Sequence, residues 1–148
     1  MILISHRGNI NGENKLRENH PEYIDEAIYS GYDVEIDVWV VNDNIFLGHD
    51  KPLYDINLDW LEDRKSKLWI HCKNINSLIF FKTNQYEFNY FWHETDTITL
   101  TSHNHIWVYP GKQPIKNSIS VLPELHDDNT SLCIGICSDV IEKYNKKI

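Results

Sequence analysis

The sequence has no apolar run long enough to cross a membrane. Of its 148 residues 41% are hydrophobic, yet no stretch approaches the roughly 20 consecutive apolar residues that a membrane-spanning helix needs. The first nine residues lack the apolar core of a signal peptide and soon reach charged side chains. We therefore expect a cytoplasmic protein without a transmembrane segment.

Cysteine and basic residues are also scarce. The three cysteines are odd in number and show no CxxC spacing, which is typical of reduced, buried thiols. Lysine and arginine together number 14 against 22 acidic residues, for a formal net charge of −8. The chain thus lacks the basic footprint of a nucleic-acid-binding protein. Any anion that it binds must be met locally, by a metal ion or by a few placed cations.

The chain is rich enough in apolar and aromatic residues for one packed domain over residues 1–148. Its first half alternates strand-like and helix-like segments. Strands are predicted over 2–5, 33–41, 45–47 and 67–73, and helices over 21–31, near 58–61 and over 75–81. Residues 33–41 alternate strictly, with Val34, Ile36 and Val38 on one face and Glu35 and Asp37 on the other.

The second half contains strands that follow each other too quickly for helices to fit between them. They are predicted over 90–93, 97–101, 106–109, 118–122 and 132–136. Crossovers between parallel strands normally take about a dozen residues or more. Bare loops are therefore expected here, and the number of strands is compatible with a barrel that has lost several outer helices.

Glu35 and Asp37 are the sharpest local signal for chemistry. A spacing of two on a strand puts both carboxylates on one face. Two inward carboxylates repel each other unless a cation lies between them. The alternative is an ordinary solvated strand face, which would account for the pair if it stood alone.

Histidines after other predicted strands favour a site over a solvated face. His6 and Arg7 follow the first strand, and His49 follows the hairpin. Two histidines could serve as an acid–base pair for phosphate ester chemistry, and Arg7 could donate two hydrogen bonds to a phosphate. His71 and Lys73 show the same two-residue spacing on the third strand, although Lys73 alone could be a solvated strand end.

Taken in order, these motifs resemble the N-terminal signature of the glycerophosphodiester phosphodiesterases. The matching segments are His6-Arg7-Gly8, Glu18-Asn19, Ala27-Ile28 with Gly31, Glu35-Ile36-Asp37-Val38 and Gly48-His49-Asp50. The likeness covers about half of the chain. The family is related to phosphatidylinositol-specific phospholipase C. The resemblance implies a reduced TIM-like β/α barrel, with several outer helices missing in the second half and the active site at the carboxyl ends of the strands.

The resemblance also implies roles for individual residues. His6 and His49 match the catalytic histidine pair, and Arg7 matches the phosphate-binding arginine. Glu35 and Asp37 match two ligands of one divalent metal ion, usually magnesium or calcium. Two further matches, Glu18 and Asn19, line the site in relatives, and Lys73 matches a phosphate-binding lysine.

The third strand departs from the family pattern. Relatives carry Glu-x-Lys there, whereas this chain has His71-Cys72-Lys73. If His71 is the third metal ligand, the site mixes imidazole with carboxylate and also accepts manganese, iron or zinc. If His71 does not bind, metal affinity should be weak.

The second half adds fewer candidates. His93, in Trp92-His93-Glu94-Thr95-Asp96, is either a metal or substrate contact or only a cap on a strand end. This segment and Ile106-Trp107-Val108-Tyr109-Pro110-Gly111 resemble short bacterial and phage-type relatives. Glu124 and Asp139 follow the last two predicted strands and could lie at the same rim. Missing helices would leave apolar side chains for a homodimer to cover, with candidates Ile98, Leu100, Ile119 and Val121.

These observations predict a metal-dependent phosphodiesterase that acts on a small glycerophosphodiester by histidine acid–base catalysis. One alternative substrate is a phosphoglycosyl unit of surface-polysaccharide metabolism. Another alternative is a non-catalytic barrel that binds a phosphorylated ligand, although such a binder needs no acid–base pair. Direct hydrolysis and formation of a cyclic phosphate both remain open.

Overall fold

The computed structural model describes residues 1–84 and 87–146. The predicted domain over 1–148 includes four residues outside this part, namely 85, 86, 147 and 148. The described residues form ten β-strands and three short α-helices. The helices are α1 (Pro21–Tyr29), α2 (Leu58–Arg64) and α3 (Ile75–Thr83).

The strands fall into a first-half and a second-half group, and most of them begin or end within two residues of the predicted bounds. Those of the first half are β1 (Ile2–His6), β2 (Asp33–Val41), β3 (Asn44–Leu47), β4 (Tyr54–Ile56) and β5 (Leu68–Cys72). Those of the second half are β6 (Tyr90–Trp92), β7 (Ile98–Leu100), β8 (Ile106–Val108), β9 (Ser118–Val121) and β10 (Gly135–Ser138). Strand β4 was not predicted, and β10 begins three residues later than expected.

All ten strands belong to one sheet. Parallel pairing joins β6, β5, β2, β1, β10, β9 and β8 in that order. Strands β3 and β4 extend the sheet from β2 as an antiparallel hairpin, and β7 pairs antiparallel with β8. The sheet curls into a half-barrel, so its concave face gathers side chains from strands that are distant along the sheet.

The predicted β/α barrel is wrong. The described chain is mostly sheet, with three short helices that all lie in its first part. Among the described residues after α3, helix is limited to single turns of 3-10 helix, at Pro123–Leu125 between two strands and at Ile141–Tyr144 after β10. A helical outer layer is therefore absent from the described second half, rather than merely thinned.

The convex and concave faces of the sheet have separate cores. On the convex side, Val34, Ile36 and Val38 of β2 pack with Ile24 and Ala27 of α1. The concave side holds Ile4, Trp69, Phe91, Trp107, Ile119, Val121 and Cys137. The alternation predicted for β2 is confirmed, because its aliphatic residues face the helices and its carboxylates face the concave side.

In the described second half, loops and a turn of 3-10 helix cover the convex face, where Ile136 of β10 packs with Tyr32 and Ile141. On β9, Ile119 and Val121 point into the concave core, so Ser118 and Ser120 alternate onto the other face. Both serines are fully buried, under loops rather than helices. The prediction that Ile119 and Val121 line an exposed outer face is therefore wrong.

Exposed apolar residues do remain on β7. Ile98 and Leu100 are 45% and 59% exposed. Of the four residues predicted to form a dimer surface, these two are the exposed ones. Dimerisation stays a prediction. No helix in the described part of the chain is long and apolar enough to cross a membrane. The three cysteines are free and buried, as predicted.

A matched pair of isoleucines tests this division of surface and core. Ile24→Ala should lower the free energy of unfolding by about 2–5 kcal/mol, because it opens a cavity between α1 and the sheet. Ile98→Ala should change it by less than about 0.5 kcal/mol, because the side chain is exposed. Urea unfolding of both variants measures the difference. Equal losses would contradict the assignment and would point to a partner covering β7.

Candidate functional site

Strand register alone brings the predicted residues together. His6 at the end of β1 lies opposite Glu35 on β2, and Asp37 lies opposite His71 on β5. All four side chains line or adjoin the concave face near the carboxyl ends of parallel strands. Four predicted residues thus meet in one small volume without help from any loop.

Two carboxylates lie buried at the centre of this group. Glu35 is 3% exposed and Asp37 is fully buried. Glu35 Oε2 has no hydrogen-bond partner, whereas Asp37 Oδ1 lies 3.1 Å from His71 Nδ1. A buried carboxylate oxygen without a hydrogen bond costs free energy, so Glu35 is the less well satisfied of the two acids.

His71 completes a group of three side chains that could hold a metal ion. Its Nδ1 lies 3.1 Å from Asp37 Oδ1 and 3.9 Å from Glu35 Oε1, and ligand atoms of all three residues lie within 4.8 Å of one another. Ligands at 2.0–2.3 Å from one ion would be separated by about 3 Å. Nε2 of His71 lies 3.3 Å from the carbonyl oxygen of His93, a contact that leaves Nδ1 free to bind a metal. The three residues could hold a divalent ion if their ligand atoms moved slightly closer together.

The two carboxyl groups titrate in opposite directions. Burial, followed by repulsion from Asp37, raises the pKa of Glu35 to about 7. Burial would also raise the pKa of Asp37, but His71 and the charge of Arg7 outweigh it and hold that pKa well below its usual range. Asp37 is thus ionised at neutral pH, whereas Glu35 needs a further positive charge to be fully ionised.

A strained turn after β1 holds Arg7 and Asn19 against Asp37. Both residues have left-handed backbones, at φ 56° and 63°, which non-glycine residues adopt rarely and often at functional sites. Gly8 is also left-handed, and a Cβ there would lie 2.6 Å from the ring of Tyr23.

Side chains from this segment then fix the position of Asp37 on β2. Asn19 both donates to Asp37 Oδ2 at 2.8 Å and accepts from its backbone NH at 2.9 Å. Arg7 Nε lies 3.1 Å from the same Oδ2. Arg7 also donates to Glu18 at 3.2 Å, so the two residues carried over from the family's Glu-Asn pair both act on this corner of the site.

His6 is oriented by a partner from the far end of the chain. Its Nδ1 lies 2.7 Å from Asp139 Oδ1, and Asn9 donates to the same oxygen at 2.8 Å. Its Nε2 lies 3.8 Å from Glu35 Oε2. Burial alone would lower the pKa of His6, but the hydrogen bond to Asp139 and the charge of Glu35 outweigh it, so the pKa is raised.

His49 and Lys73 complete the cavity. The cavity has a volume of about 360 Å³ and is lined by both residues together with His6, Arg7 and His71. Lys73 Nζ lies 3.9 Å from Asp37 Oδ1. His49 is bonded to Asp50 at 2.8 Å, and burial followed by the charge of Arg7 lowers its pKa.

Aromatic side chains form the opposite wall. Phe91, Trp107 and Tyr109 line the cavity with His93, whose ring stacks on Tyr109 at 3.6 Å between centroids. His93 is not one of the three grouped ligand residues; it contributes its carbonyl oxygen to His71 and its ring to the wall. Its pKa is lowered, chiefly by burial.

The structure brings the residues predicted for the site close to one another, and their role in a site stays a prediction. His6, Arg7, Glu18, Asn19, Glu35, Asp37, His49, His71, Lys73 and His93 all lie at this site or directly against it. Asp139, a candidate for the rim, contacts His6 from behind the cavity lining, and this bond spans 133 residues and has no local signal. Asn9 was missed, although an asparagine next to a glycine directly after a strand is a recognisable turn signal.

Comparison with models of protein families and with curated proteins finds no match for this chain. The resemblance to the glycerophosphodiester phosphodiesterases thus remains a prediction carried by short motifs.

Metal binding can be tested by thermal stability. Divalent ions at about 100 times their dissociation constant should stabilise the protein by about 2.7 kcal/mol and raise Tm by several degrees. Glu35→Gln should abolish this rise, because it removes a ligand charge, and His6→Ala should retain it. Differential scanning fluorimetry with Mg²⁺, Ca²⁺, Mn²⁺ and Zn²⁺ measures both. Stabilisation that survives in Glu35→Gln would place the ion elsewhere.

The contact between His6 and Asp139 predicts a pKa change. Asp139→Asn removes the negative charge but keeps the shape, so the pKa of His6 should fall from its raised value. An NMR titration of the histidine rings in the metal-free protein measures it, with His49 as an internal control whose pKa should stay in place. An unchanged pKa for His6 would mean that Asp139 does not set its protonation.

Proposed function

We propose that this chain is a metal-dependent phosphodiesterase that uses His6 and His49 for acid–base catalysis. The observation that carries the proposal is the convergence in one cavity of three kinds of group: a carboxylate–imidazole cluster, two cationic side chains and two further histidines. A phosphodiester needs each of them, for charge neutralisation, for binding its oxygens and for moving two protons.

Glu35, Asp37 and His71 would hold the ion. When bound, it supplies Lewis-acid neutralisation of a non-bridging phosphate oxygen. Arg7 and Lys73 line the same cavity from opposite sides of Asp37 and would bind the remaining oxygens. Because the contacts of Arg7 with Glu18 and Asp37 hold its guanidinium in place, little of its conformational freedom remains to be lost when a phosphate binds.

The surroundings of the two histidines favour different roles. In the neutral ring of His6, Nδ1–H donates to Asp139 and Nε2 is left as a proton acceptor beside the carboxylates. His6 is therefore placed to take the proton of the attacking hydroxyl. His49 lines the same cavity on the side of Arg7 and Lys73 and would protonate the leaving alcohol.

The size of the cavity favours a compact substrate. Ligand sites usually measure about 300–1,000 Å³, and 360 Å³ lies near the lower end. A glycerophosphodiester head group fits this volume better than a lipid with its acyl chains. A phosphoglycosyl unit remains the second candidate, because aromatic walls such as Tyr109 and His93 are suited to stacking against sugar rings. Water or a neighbouring substrate hydroxyl would serve as the nucleophile.

Turnover of diesters with different leaving groups tests the proposal. Glycerophosphocholine, glycerophosphoinositol and a nitrophenyl diester are assayed with Mg²⁺, Ca²⁺, Mn²⁺ or EDTA. His6→Ala should lower kcat about 100-fold or more on every substrate, within the usual range for a general base. His49→Ala should show a similar loss on choline and inositol diesters but little loss on the nitrophenyl diester, because nitrophenolate leaves without a proton.

The result that would contradict the proposal is equally definite. If every substrate and metal gives no turnover while thermal stability reports a folded, metal-binding protein, the chain is a binding protein for a phosphorylated ligand. Lys112→Ala, an exposed position away from the cavity, is the control and should match the unmodified protein on each substrate.

A further inference from the structure

Asn9 lies behind the residues that line the cavity, and every hydrogen-bonding position of its side chain is occupied. It is fully buried. Its amide nitrogen donates to Glu18 Oε1 at 3.0 Å and to Asp139 Oδ1 at 2.8 Å. Its amide oxygen accepts from the backbone NH of Asn14 and from the hydroxyl group of Tyr23, both at 3.1 Å. An amide has two donors and two acceptor sites, so the contacts use its whole capacity.

The two ends of this amide serve different purposes. The oxygen end closes the loop of residues 9–14 and ties it to Tyr23 of α1, which is the ordinary structural use of an asparagine in a turn. The nitrogen end instead faces two carboxylates. The reverse orientation would put the amide oxygen against both acids and its NH₂ group against the backbone NH of Asn14. The contacts therefore permit only the observed orientation, with the donors toward the acids.

Each of the two acids holds one residue of the proposed machinery. Asp139 Oδ1, which accepts from Asn9, also lies 2.7 Å from Nδ1 of His6. Glu18 accepts from Asn9 at one carboxylate oxygen and from Arg7 at the other. Only 8% of the Glu18 side chain and 20% of the Asp139 side chain are exposed. Hydrogen bonds shielded from water in this way hold their partners more firmly than surface contacts do.

We infer that Asn9 is a positioning residue that holds His6 and Arg7 in a fixed relation to each other, by donating to the carboxylate that orients each of them. The inference rests on the proposed function, in which Arg7 binds the phosphate and His6 accepts the proton of the attacking hydroxyl. Each acid is bonded to one of these two residues, and Asn9 is bonded to both acids. A misplacement of about 1 Å between such groups costs rate, because the reacting atoms lose their alignment.

Substitution by aspartate separates this role from closure of the loop. Asn9→Asp keeps the shape of the side chain and its accepting oxygen, so the contacts with the loop and with α1 remain. It replaces the donating nitrogen by a second oxygen, which repels Glu18 and Asp139 when it is ionised. Both acids should then move away from position 9, and His6 and Arg7 should lose their fixed positions.

Three readouts at pH 9, where a histidine ring is ordinarily neutral, measure the effect in the presence of Mg²⁺. The first is the tautomer of the His6 ring from its ¹⁵N NMR shifts, because the Nδ1–H form is the one that donates to Asp139. The second is the dissociation constant of inorganic phosphate by calorimetry, which reports on Arg7. The third is kcat on a nitrophenyl diester. In Asn9→Asp the Nδ1–H tautomer should no longer predominate, and both phosphate affinity and kcat should fall about tenfold.

A charge-neutral exchange should restore one branch only. In Asn9→Asp/Glu18→Gln the amide introduced at position 18 donates to the carboxylate introduced at position 9 and still accepts from Arg7. Phosphate affinity should return to within about twofold of the unmodified protein, while the His6 tautomer and kcat stay as in Asn9→Asp. The matched control Asn57→Asp adds the same charge at an exposed helix N-cap and keeps the oxygen that accepts from Trp60. It should leave all three readouts unchanged.

The inference is overturned by an unchanged His6 tautomer or an unchanged phosphate affinity in Asn9→Asp, and by an exchange variant in which both return together or neither returns. If Asn9→Asp alone unfolds, the exchange variant carries the test, because an unshifted tautomer there overturns the inference and a shifted tautomer with restored phosphate affinity supports it. Two of the readouts need no turnover. Absent turnover on every diester with both of them changed removes only the phosphodiesterase proposal, whereas turnover with both unchanged removes only the role of Asn9.

Discussion

The structure of the site depends on the burial of two adjacent carboxylates. Glu35 and Asp37 lie side by side on the concave face, where water cannot reach Asp37 and reaches only 3% of Glu35. Two negative charges held close together where water is excluded are unfavourable unless cations or hydrogen-bond donors surround them. Every polar group nearby is arranged around that constraint, as Arg7 and Asn19 bind one oxygen of Asp37 and His71 approaches the other.

The protein's own side chains do not fully neutralise the two carboxylates. Asp37 is satisfied on one side, while Glu35 Oε2 has no hydrogen-bond partner and its carboxyl group keeps a raised pKa near 7. A divalent ion at the proposed site would neutralise this remaining charge, because Glu35, Asp37 and His71 each offer it one ligand atom.

Some residues of the site could be predicted from local strand patterns, whereas others depend on contacts between distant parts of the chain. Glu35 and Asp37 could be placed because side chains alternate along a strand, and His6 and His71 follow from the ends of neighbouring strands. Asp139 could be assigned only to the rim, because its bond to His6 depends on β10 pairing with β1 across nearly the whole chain. The bare loops of the second half follow from the short spacing of its strands, but the β/α barrel, expected from the strand count and the resemblance, is wrong because the ten strands curl only into a half-barrel.

The most direct test of this account is to locate the ion. Crystals grown with Mn²⁺ and measured for anomalous scattering should show one peak about 2.0–2.4 Å from a carboxylate oxygen of Glu35, a carboxylate oxygen of Asp37 and Nδ1 of His71. That result would establish the buried carboxylates as a metal site and His71 as its third protein ligand. A well-ordered site with no peak, or a peak at exposed acidic residues elsewhere, would contradict the account.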